Sequence, residues 1–268
     1  MTSLYAIPAA FLLLVTLACA VAAAGAGQHY VHRRFRSHEF IAHNEVGGII
    51  IAVAGTLFAV MLGFLTVDVW QQYTDAQQVV VHESNGAIDA WHASVGLPPA
   101  VRSRVRNDMV RYANIMIERE WPAMREGKSD EEAAMVSMDS FDAVGGFSPA
   151  NMRESNAQLM TLQQLDVMHD ARQQRIAING SGVSWFEWVV LLIGAVCVIC
   201  FCWLFGVSSS RIQFLMTSTV VTIIVSILVL LFELQYPFRS DVGIGPQGWS
   251  AALAHIREMQ QGEMPNMR

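Results

Sequence analysis

Residues 46–67 read VGGIIIAVAGTLFAVMLGFLTV, a run of 22 positions without one ionisable side chain. An α-helix rises 1.5 Å per residue, so this run would measure roughly 33 Å, enough to cross a hydrocarbon core of about 30 Å. Backbone N–H and C=O groups find no water in that layer and must bond to one another, which favours a helix. The stretch therefore predicts a membrane-spanning α-helix.

Three other windows are equally poor in charge: Leu4–Gly27, Trp185–Val207 and Ile212–Leu234. Their acidic residues, Glu187 and Glu233, lie within three positions of a window end. Only 15% of the 268 residues are charged, against about 25% in soluble domains. The sequence predicts an all-α membrane protein with four transmembrane helices. We interpret the first window as a retained helix, because no basic residue precedes it as in a signal peptide.

The chain divides into four predicted segments. They are the first two spans (1–67), a helical extramembrane domain inserted between the second and third spans (68–184), the last two spans (185–236), and a C-terminal turn with an interfacial helix (237–268). Apolar residues in the inserted domain recur at spacings of three and four, which is typical of helices. Since no turn signal follows Val67, the second span should continue outward as one helix to about Val95.

Helix boundaries in the inserted domain are indicated by prolines and by capping boxes. The string GLPP at 96–99 should end the long helix. A second helix, Ala100–Glu126, contains Pro122, which predicts a kink or an end just before it. The strings SDEE at 129–132 and SWFE at 184–187 have the Ser-x-x-Glu pattern that opens helices.

The C-terminal segment begins with an unusual string, YPFRSDVGIGP at 236–246. Its proline cannot continue the fourth helix and its glycines permit tight turns. We expect a capping turn beside the outer mouth of an assembly, with a plain chain exit as the alternative. The tail that follows has Trp249, Leu253 and Ile256 on one stripe, which predicts a helix lying at the membrane interface.

Orientation follows from the short connections. Arg33, Arg34 and Arg36 lie between the first two spans, and Arg211 lies between the last two. Positive residues in short loops favour the cytoplasm. The sequence therefore predicts that both termini and the inserted domain face the opposite, periplasmic side.

Three stretches of this chain resemble the bacterial bestrophin-like domain family. They are HNEVGG at 43–48, FAVMLGFLTVDVWQQYTDAQQVVVHE at 58–83 and LQYPFRSDVGIGP at 234–246. The family's closing pattern has an acid where this chain has Gln235, and a small residue with glycine where this chain has Arg239 and Ser240. The resemblance implies a four-span protein of a bacterial inner membrane and kinship with bestrophin anion channels.

The second span carries a ladder of small residues: Gly48, Ala52, Gly55, Ala59 and Gly63. Such ladders let helices approach closely in lipid, where packing drives association. The ladder indicates either a helix at the symmetry axis of a homo-oligomer or packing within one four-helix bundle.

Bulky apolar residues lie on other faces of this span, among them Leu57 and Phe64. Around an axial pore, rings of these side chains would gate ions by dewetting.

Four carboxylates are candidates for ion binding or for a ring at the pore mouth. Asp68 and Asp75 follow the second span, and in a symmetric assembly each would form a ring that favours cations. Solvated surface acids are the alternative. Glu233, at the end of the fourth span, can reach the membrane interface.

The fourth carboxylate, Glu83, falls on an apolar stripe between Val80 and Ala87. A buried carboxylate needs a partner or a proton. We expect Arg104 or Arg111 to supply the positive charge, in a structural salt bridge or in an ion site.

These features favour a homo-oligomeric ion channel or channel-like permease, with a slight preference for cations. The alternative is a non-conducting sensor or scaffold that binds a ligand or protein through the external domain. The expected partners are the lipid bilayer, copies of the chain and inorganic ions. We find no phosphate loop, G-x-S-x-G or H-E-x-x-H motif, and we expect no catalytic residue, resident metal, cofactor or nucleic-acid partner.

Overall fold

A computed structural model describes residues 5, 7–34, 44–206 and 209–263. They form nine α-helices: α1 (Ala9–Arg34), α2 (Asn44–Ala93), α3 (Pro99–Ile115), α4 (Trp121–Arg125), α5 (Glu131–Gly145), α6 (Met152–Gly180), α7 (Trp185–Cys202), α8 (Ser210–Leu234) and α9 (Gln247–Glu263). No β-strand occurs within these ranges. The predicted all-α fold class is confirmed.

Four helices are long and apolar enough to cross a membrane, as predicted: α1, the membrane half of α2, α7 and α8. α1 begins at Ala9 because Pro8, which cannot lie inside a helix, offers its carbonyl to the N–H groups of Phe11 and Leu12. α7 ends at Cys202, earlier than expected, and a tight turn follows it. Leu4 and Val207, which are ends of two predicted windows, lie outside the described residues.

Helix α2 contains 50 residues without a break, a length of about 75 Å. Its first half spans the membrane and its second half forms the spine of the extramembrane domain, which confirms the predicted continuous helix. Helix α2 ends where the sequence indicated. A short 3-10 turn, Ser94–Gly96, follows it, and prolines then open α3. One rigid element therefore runs from the arginine-bearing side of the membrane to the far end of the domain.

The extramembrane domain packs around the outer half of α2. Helix α6 lies lengthwise along α2, while α3 and α9 cover further faces and α5 packs on α3 and α6. Close approach of α2 and α6 requires Gly86, since a Cβ there would lie 3.0 Å from the backbone nitrogen of Met168. The centre of the domain holds large buried side chains that include Trp91, Tyr112 and Trp249.

The C-terminal helix corrects the expectation of an interfacial segment. Trp249, Leu253 and Ile256 do form one stripe, but all three are buried in the core of the extramembrane domain. The same apolar stripe suits a bilayer surface or a protein surface, and here α2 and α3 cover it. α9 is therefore a structural part of the domain.

Helix α3 passes into α4 through one π-helical turn, Met116–Glu120. The N–H of Trp121 donates to the carbonyl of Met116, five residues back. Pro122 has no N–H, and its ring would clash with the carbonyl of Glu118 in a regular helix. The widened turn relieves that clash, so the irregularity lies where the proline predicted it.

Two helix starts test the capping predictions. Ser184 and Glu187 form the complete predicted box at the start of α7. Ser129 is not the cap of α5: Asp130 takes that position and accepts from the N–H of Glu132. The sequence SDEE fits either register, and an aspartate caps a helix as well as a serine does.

Candidate functional site

The membrane half of α2 has three faces, about a third of a turn apart at 3.6 residues per turn. The first face packs within the chain: Leu62 and Val69 are buried against Leu191 of α7 and Leu231 of α8. A close contact fixes this arrangement, since a Cβ on Gly194 of α7 would lie 2.5 Å from the ring of Phe58.

The second face is the small-residue ladder, and it is uncovered. A Cβ built on Gly48, Gly55 or Gly63 would meet no heavy atom within 4 Å. Ala52 and Ala59 are exposed. In a single chain the ladder therefore does not pack against the described helices, so packing within one bundle does not account for it.

The third face is a stripe of bulky apolar residues at alternating spacings of three and four. It comprises Val46, Ile50, Val53, Leu57, Val60, Phe64 and Val67, whose exposures run from 51% to 74%. Leu57 and Phe64, which the sequence places off the ladder, are therefore members of one continuous face. We name this face the bulky stripe.

The bulky stripe becomes polar where α2 leaves the membrane. Asp68 and Asp75 are exposed, and helical geometry places both within about 60° of the stripe's centre line. Asp75 accepts a hydrogen bond of 2.8 Å from Gln71. Further out, a groove of about 410 Å³ includes Asp75, Gln78 and His82 among its walls. One face of α2 thus changes from apolar to carboxylate, amide and imidazole.

Glu83 lies in the centre of the domain within a buried ion network. Its carboxylate accepts two hydrogen bonds from Arg175 of α6, of 2.5 and 3.0 Å, and one of 2.7 Å from the hydroxyl of Tyr112. Arg175 also contacts Glu120, which is paired with Arg172 at 3.1 Å. Two carboxylates and two guanidinium groups, each at most 5% exposed, therefore balance in charge.

This network identifies the partner of Glu83 and corrects the prediction. Arg104 and Arg111 are both exposed, and Arg111 pairs with Glu132 at 2.6 Å. Their helix turns Val105 and Tyr112 inward instead. The structural salt bridge is confirmed as the environment of Glu83, but its cation comes from α6, about ninety residues along the chain.

The protonation states in the network follow from burial. Burial raises the pKa of Tyr112 well above its ordinary value, and the neighbouring Glu83 carboxylate adds to the effect. Burial opposes the charge on Arg175, but the Glu83 carboxylate outweighs it, so the pKa of Arg175 is raised. Tyr112 therefore remains a hydroxyl donor and Arg175 a cation.

The string after α8 joins the spans to the domain. Asp241 accepts from the N–H of Ala9 at 3.2 Å and caps α1. The indole of Trp121 donates to the carbonyl of Ile244 at 2.9 Å. The hydroxyl of Tyr73 donates to the carbonyl of Val242 at 3.3 Å. These contacts replace the chain-exit alternative with a connecting element.

Glu233 and Gln235 lie at the same junction. Glu233 is only 4% exposed, so it does not reach solvent. Gln235, in the place of the family's acid, accepts from the indole of Trp188 at 3.1 Å and donates to the hydroxyl of Tyr5 at 3.0 Å. Gln235 is therefore a structural contact between spans.

Within the described residues, no group of three or more histidine, cysteine, aspartate or glutamate side chains is arranged to hold a metal ion. Of the four candidate acids, Asp68 and Asp75 share one face of α2. Glu83 and Glu233 are buried at separate places.

This fold is that of a four-span membrane protein with an inserted helical domain, and comparison with known proteins identifies its family. The model of the Bestrophin-like domain matches residues 17–249. The chain belongs to the bestrophin-like family. Among curated proteins, no sequence matches it.

Solved structures of a bacterial bestrophin homologue from Klebsiella pneumoniae have the same fold. One of them superposes with a TM-score of 0.67 at 11% identity, covering 90% of this chain and 97% of that one. A single-substitution variant of the homologue gives 0.70 at 10% identity, covering 91% and 98%. A second variant gives 0.70 at 11% identity, covering 92% and 97%. At such identities the likeness shows the fold alone.

The buried network predicts large and coupled losses of stability. Glu83→Gln or Arg175→Met alone should each lower the free energy of unfolding by about 3–5 kcal/mol, because each leaves a buried charge uncompensated. The double variant keeps the neutral Glu120–Arg172 pair. Its loss of unfolding free energy should be clearly smaller than the sum of the losses in the two single variants. Denaturant unfolding of the purified protein in detergent measures all three.

Lys128→Met is the control, because Lys128 is 71% exposed in its pair with Glu126. Its unfolding curve should match that of the wild type. Strictly additive losses from Glu83→Gln and Arg175→Met would contradict the network.

Proposed function

We propose that this protein is a homo-oligomeric ion channel in which α2 surrounds the symmetry axis. The observation that carries the proposal is that two of the three faces of α2 are uncovered in the single chain. A helix in a ring needs one face toward its own subunit, one toward the neighbouring subunit and one toward the axis. The three faces of α2 meet that requirement.

The ladder suits the contact with the neighbouring copy, because small side chains let backbones approach where packing drives association. The bulky stripe suits the axis. Its outer continuation carries Asp68 and Asp75, so this assignment places apolar rings within the membrane and carboxylates at the mouth. Ladder and stripe then have separate roles, and Leu57 and Phe64 lie in the constriction.

Oligomerisation is part of the proposal because a single bundle of four helices has little room for a polar path. Glu233 is the one carboxylate near the membrane that is buried within the described part of the chain, and it lies at the end of α8. Heterologous contacts between identical copies form a ring when the rotation between copies closes, and a ring leaves a passage on its axis.

The carboxylates at the mouth support a preference for cations, since a ring of negative charge concentrates them. Apolar rings of Leu57 and Phe64 side chains would resist ion passage while dry and conduct when wetted. The rival function, a non-conducting sensor or scaffold, shares the unbroken α2 but requires no axial passage.

We also propose that the domain and both termini lie on the periplasmic side of a bacterial inner membrane. Arg33 and Arg34 end α1, and Arg211 begins α8. These ends lie on the membrane side away from the domain. Positive residues in short connections favour the cytoplasm. Arg36, also part of this argument, lies outside the described residues.

The ladder predicts a specific loss of assembly. Gly55→Leu should dissociate the oligomer, because a leucine there keeps neighbouring α2 helices apart, while leaving the fold of each chain intact. Light scattering on detergent-solubilised protein gives the mass. Ala23→Leu, at an exposed position of α1 in the membrane, is the matched control and should keep the wild-type mass. An unaltered mass for Gly55→Leu would remove α2 from the interface.

The bulky stripe and the mouth predict separable effects on conduction in planar bilayers. Phe64→Ala should raise conductance at the same reversal potential, because the constriction widens. Asp68→Asn should shift the reversal potential under a salt gradient away from cation selectivity. Glu126→Gln, an exposed acid in the domain, serves as the charge control. Silent bilayers under varied voltage, pH and divalent ions would support the scaffold instead.

Orientation is tested with single cysteines in a cysteine-free chain. Asp139→Cys, exposed on the domain, should react with a membrane-impermeant maleimide in intact spheroplasts. Arg33→Cys should react only after lysis. The reverse pattern would place the domain in the cytoplasm.

A further inference from the structure

A cavity with both polar and apolar walls opens where the end of α1 meets the start of α8, on the membrane face opposite the extramembrane domain. Its volume is about 310 Å³, within the range of small-molecule sites. Its walls are formed by Gly25, Gln28, His29, His32, Ser210, Arg211 and Phe214. All belong to one chain, so the cavity does not depend on the proposed channel assembly.

Gln28 is the polar side chain that the fold leaves unexplained. It is 4% exposed, lines the cavity, and its carboxamide oxygen has no hydrogen-bond partner among the described residues. Burying an amide without a partner costs free energy, and native proteins seldom tolerate it. A half-turn of the amide exchanges its oxygen for its NH₂ group. Gln28 can therefore donate to an oxygen atom of a ligand in the cavity.

The start of α8 makes the same cavity electropositive. Its N-cap, Ser209, makes no side-chain capping bond to any described residue. The N-terminus of a helix of this length carries partial positive charge and N–H groups that favour anions. Arg211 adds a full positive charge, while Ser210 and His29 add donors. This set of donors matches the oxygen atoms of a phosphate group.

Two partly buried contacts hold the wall in place. His32 contacts the carbonyl of Trp203 through Nε2 at 3.1 Å. Gln213 is 2% exposed and donates to the carbonyl of Phe205 at 2.6 Å. These bonds tie the end of α1 and the start of α8 to the turn after α7. The cavity is therefore a built feature of the fold.

We propose that this cavity binds a phosphate group, and that the group is the headgroup phosphate of an anionic phospholipid. The cavity lies at a membrane–water boundary, where basic pockets between transmembrane helices bind such headgroups. Its inner wall is apolar: Phe214 is 44% exposed and packs over Gly25, where a Cβ would lie 2.7 Å from its ring. The apolar surface below the donors suits an acyl chain. Inorganic phosphate has the same headgroup chemistry and is the competing source.

The test is native mass spectrometry of the full chain in detergent, incubated with equal amounts of phosphatidylglycerol and phosphatidylcholine. The wild type should retain one phosphatidylglycerol per chain and no phosphatidylcholine. Arg211→Gln should weaken that binding about tenfold, because it removes a charge-assisted hydrogen bond. Gln28→Leu, of similar shape, should weaken it as well. Arg33→Gln removes a charge on the same face, outside the cavity, and should leave it unchanged.

A parallel titration with inorganic phosphate by calorimetry separates the two sources. Arg211-dependent binding of inorganic phosphate without retention of phosphatidylglycerol would overturn the lipid assignment. Equal losses of phosphatidylglycerol binding in Arg211→Gln and Arg33→Gln would show diffuse attraction to surface charge and overturn the site. Only variants that keep the wild-type unfolding midpoint are compared. If Arg211→Gln does not keep that midpoint, Gln28→Leu decides the test.

Discussion

The ion pair between Glu83 of α2 and Arg175 of α6 is the contact on which the extramembrane domain depends. Neither group is exposed, so each charge is tolerated only because the other neutralises it. Through Glu120 and Arg172 the pair extends to the π-helical turn before Pro122. The network thus fixes three helical segments around the outer half of α2, and it holds the long helix in one position relative to the domain.

A fixed outer half gives the membrane half of α2 a defined orientation. Because the helix is continuous over 50 residues, its ladder, its bulky stripe and its acids keep their relative angles along the whole length. The junction string adds a second set of contacts through Asp241 and Trp121. A change in the domain can therefore reach the spans without an intervening loop.

The four spans, the break at GLPP and the proline irregularity were predictable from sequence because each depends on local chemistry: residue polarity, missing N–H groups and ring sterics. The partner of Glu83 was not, because Arg175 lies 92 positions away and several arginines competed for the role. The role of α9 was also misjudged. An apolar stripe indicates burial but does not distinguish a bilayer from a protein surface.

The sequence by itself determined that this is a four-span helical membrane protein with one inserted domain, since chains in lipid must close their backbone hydrogen bonds locally. It also identified the small-residue ladder on α2. Only the tertiary structure decided which faces of α2 its own chain covers, because Gly48, Gly55 and Gly63 look alike whether they face a neighbour or open space. It likewise brought Gln28 of the first span and Arg211 of the last span to one cavity.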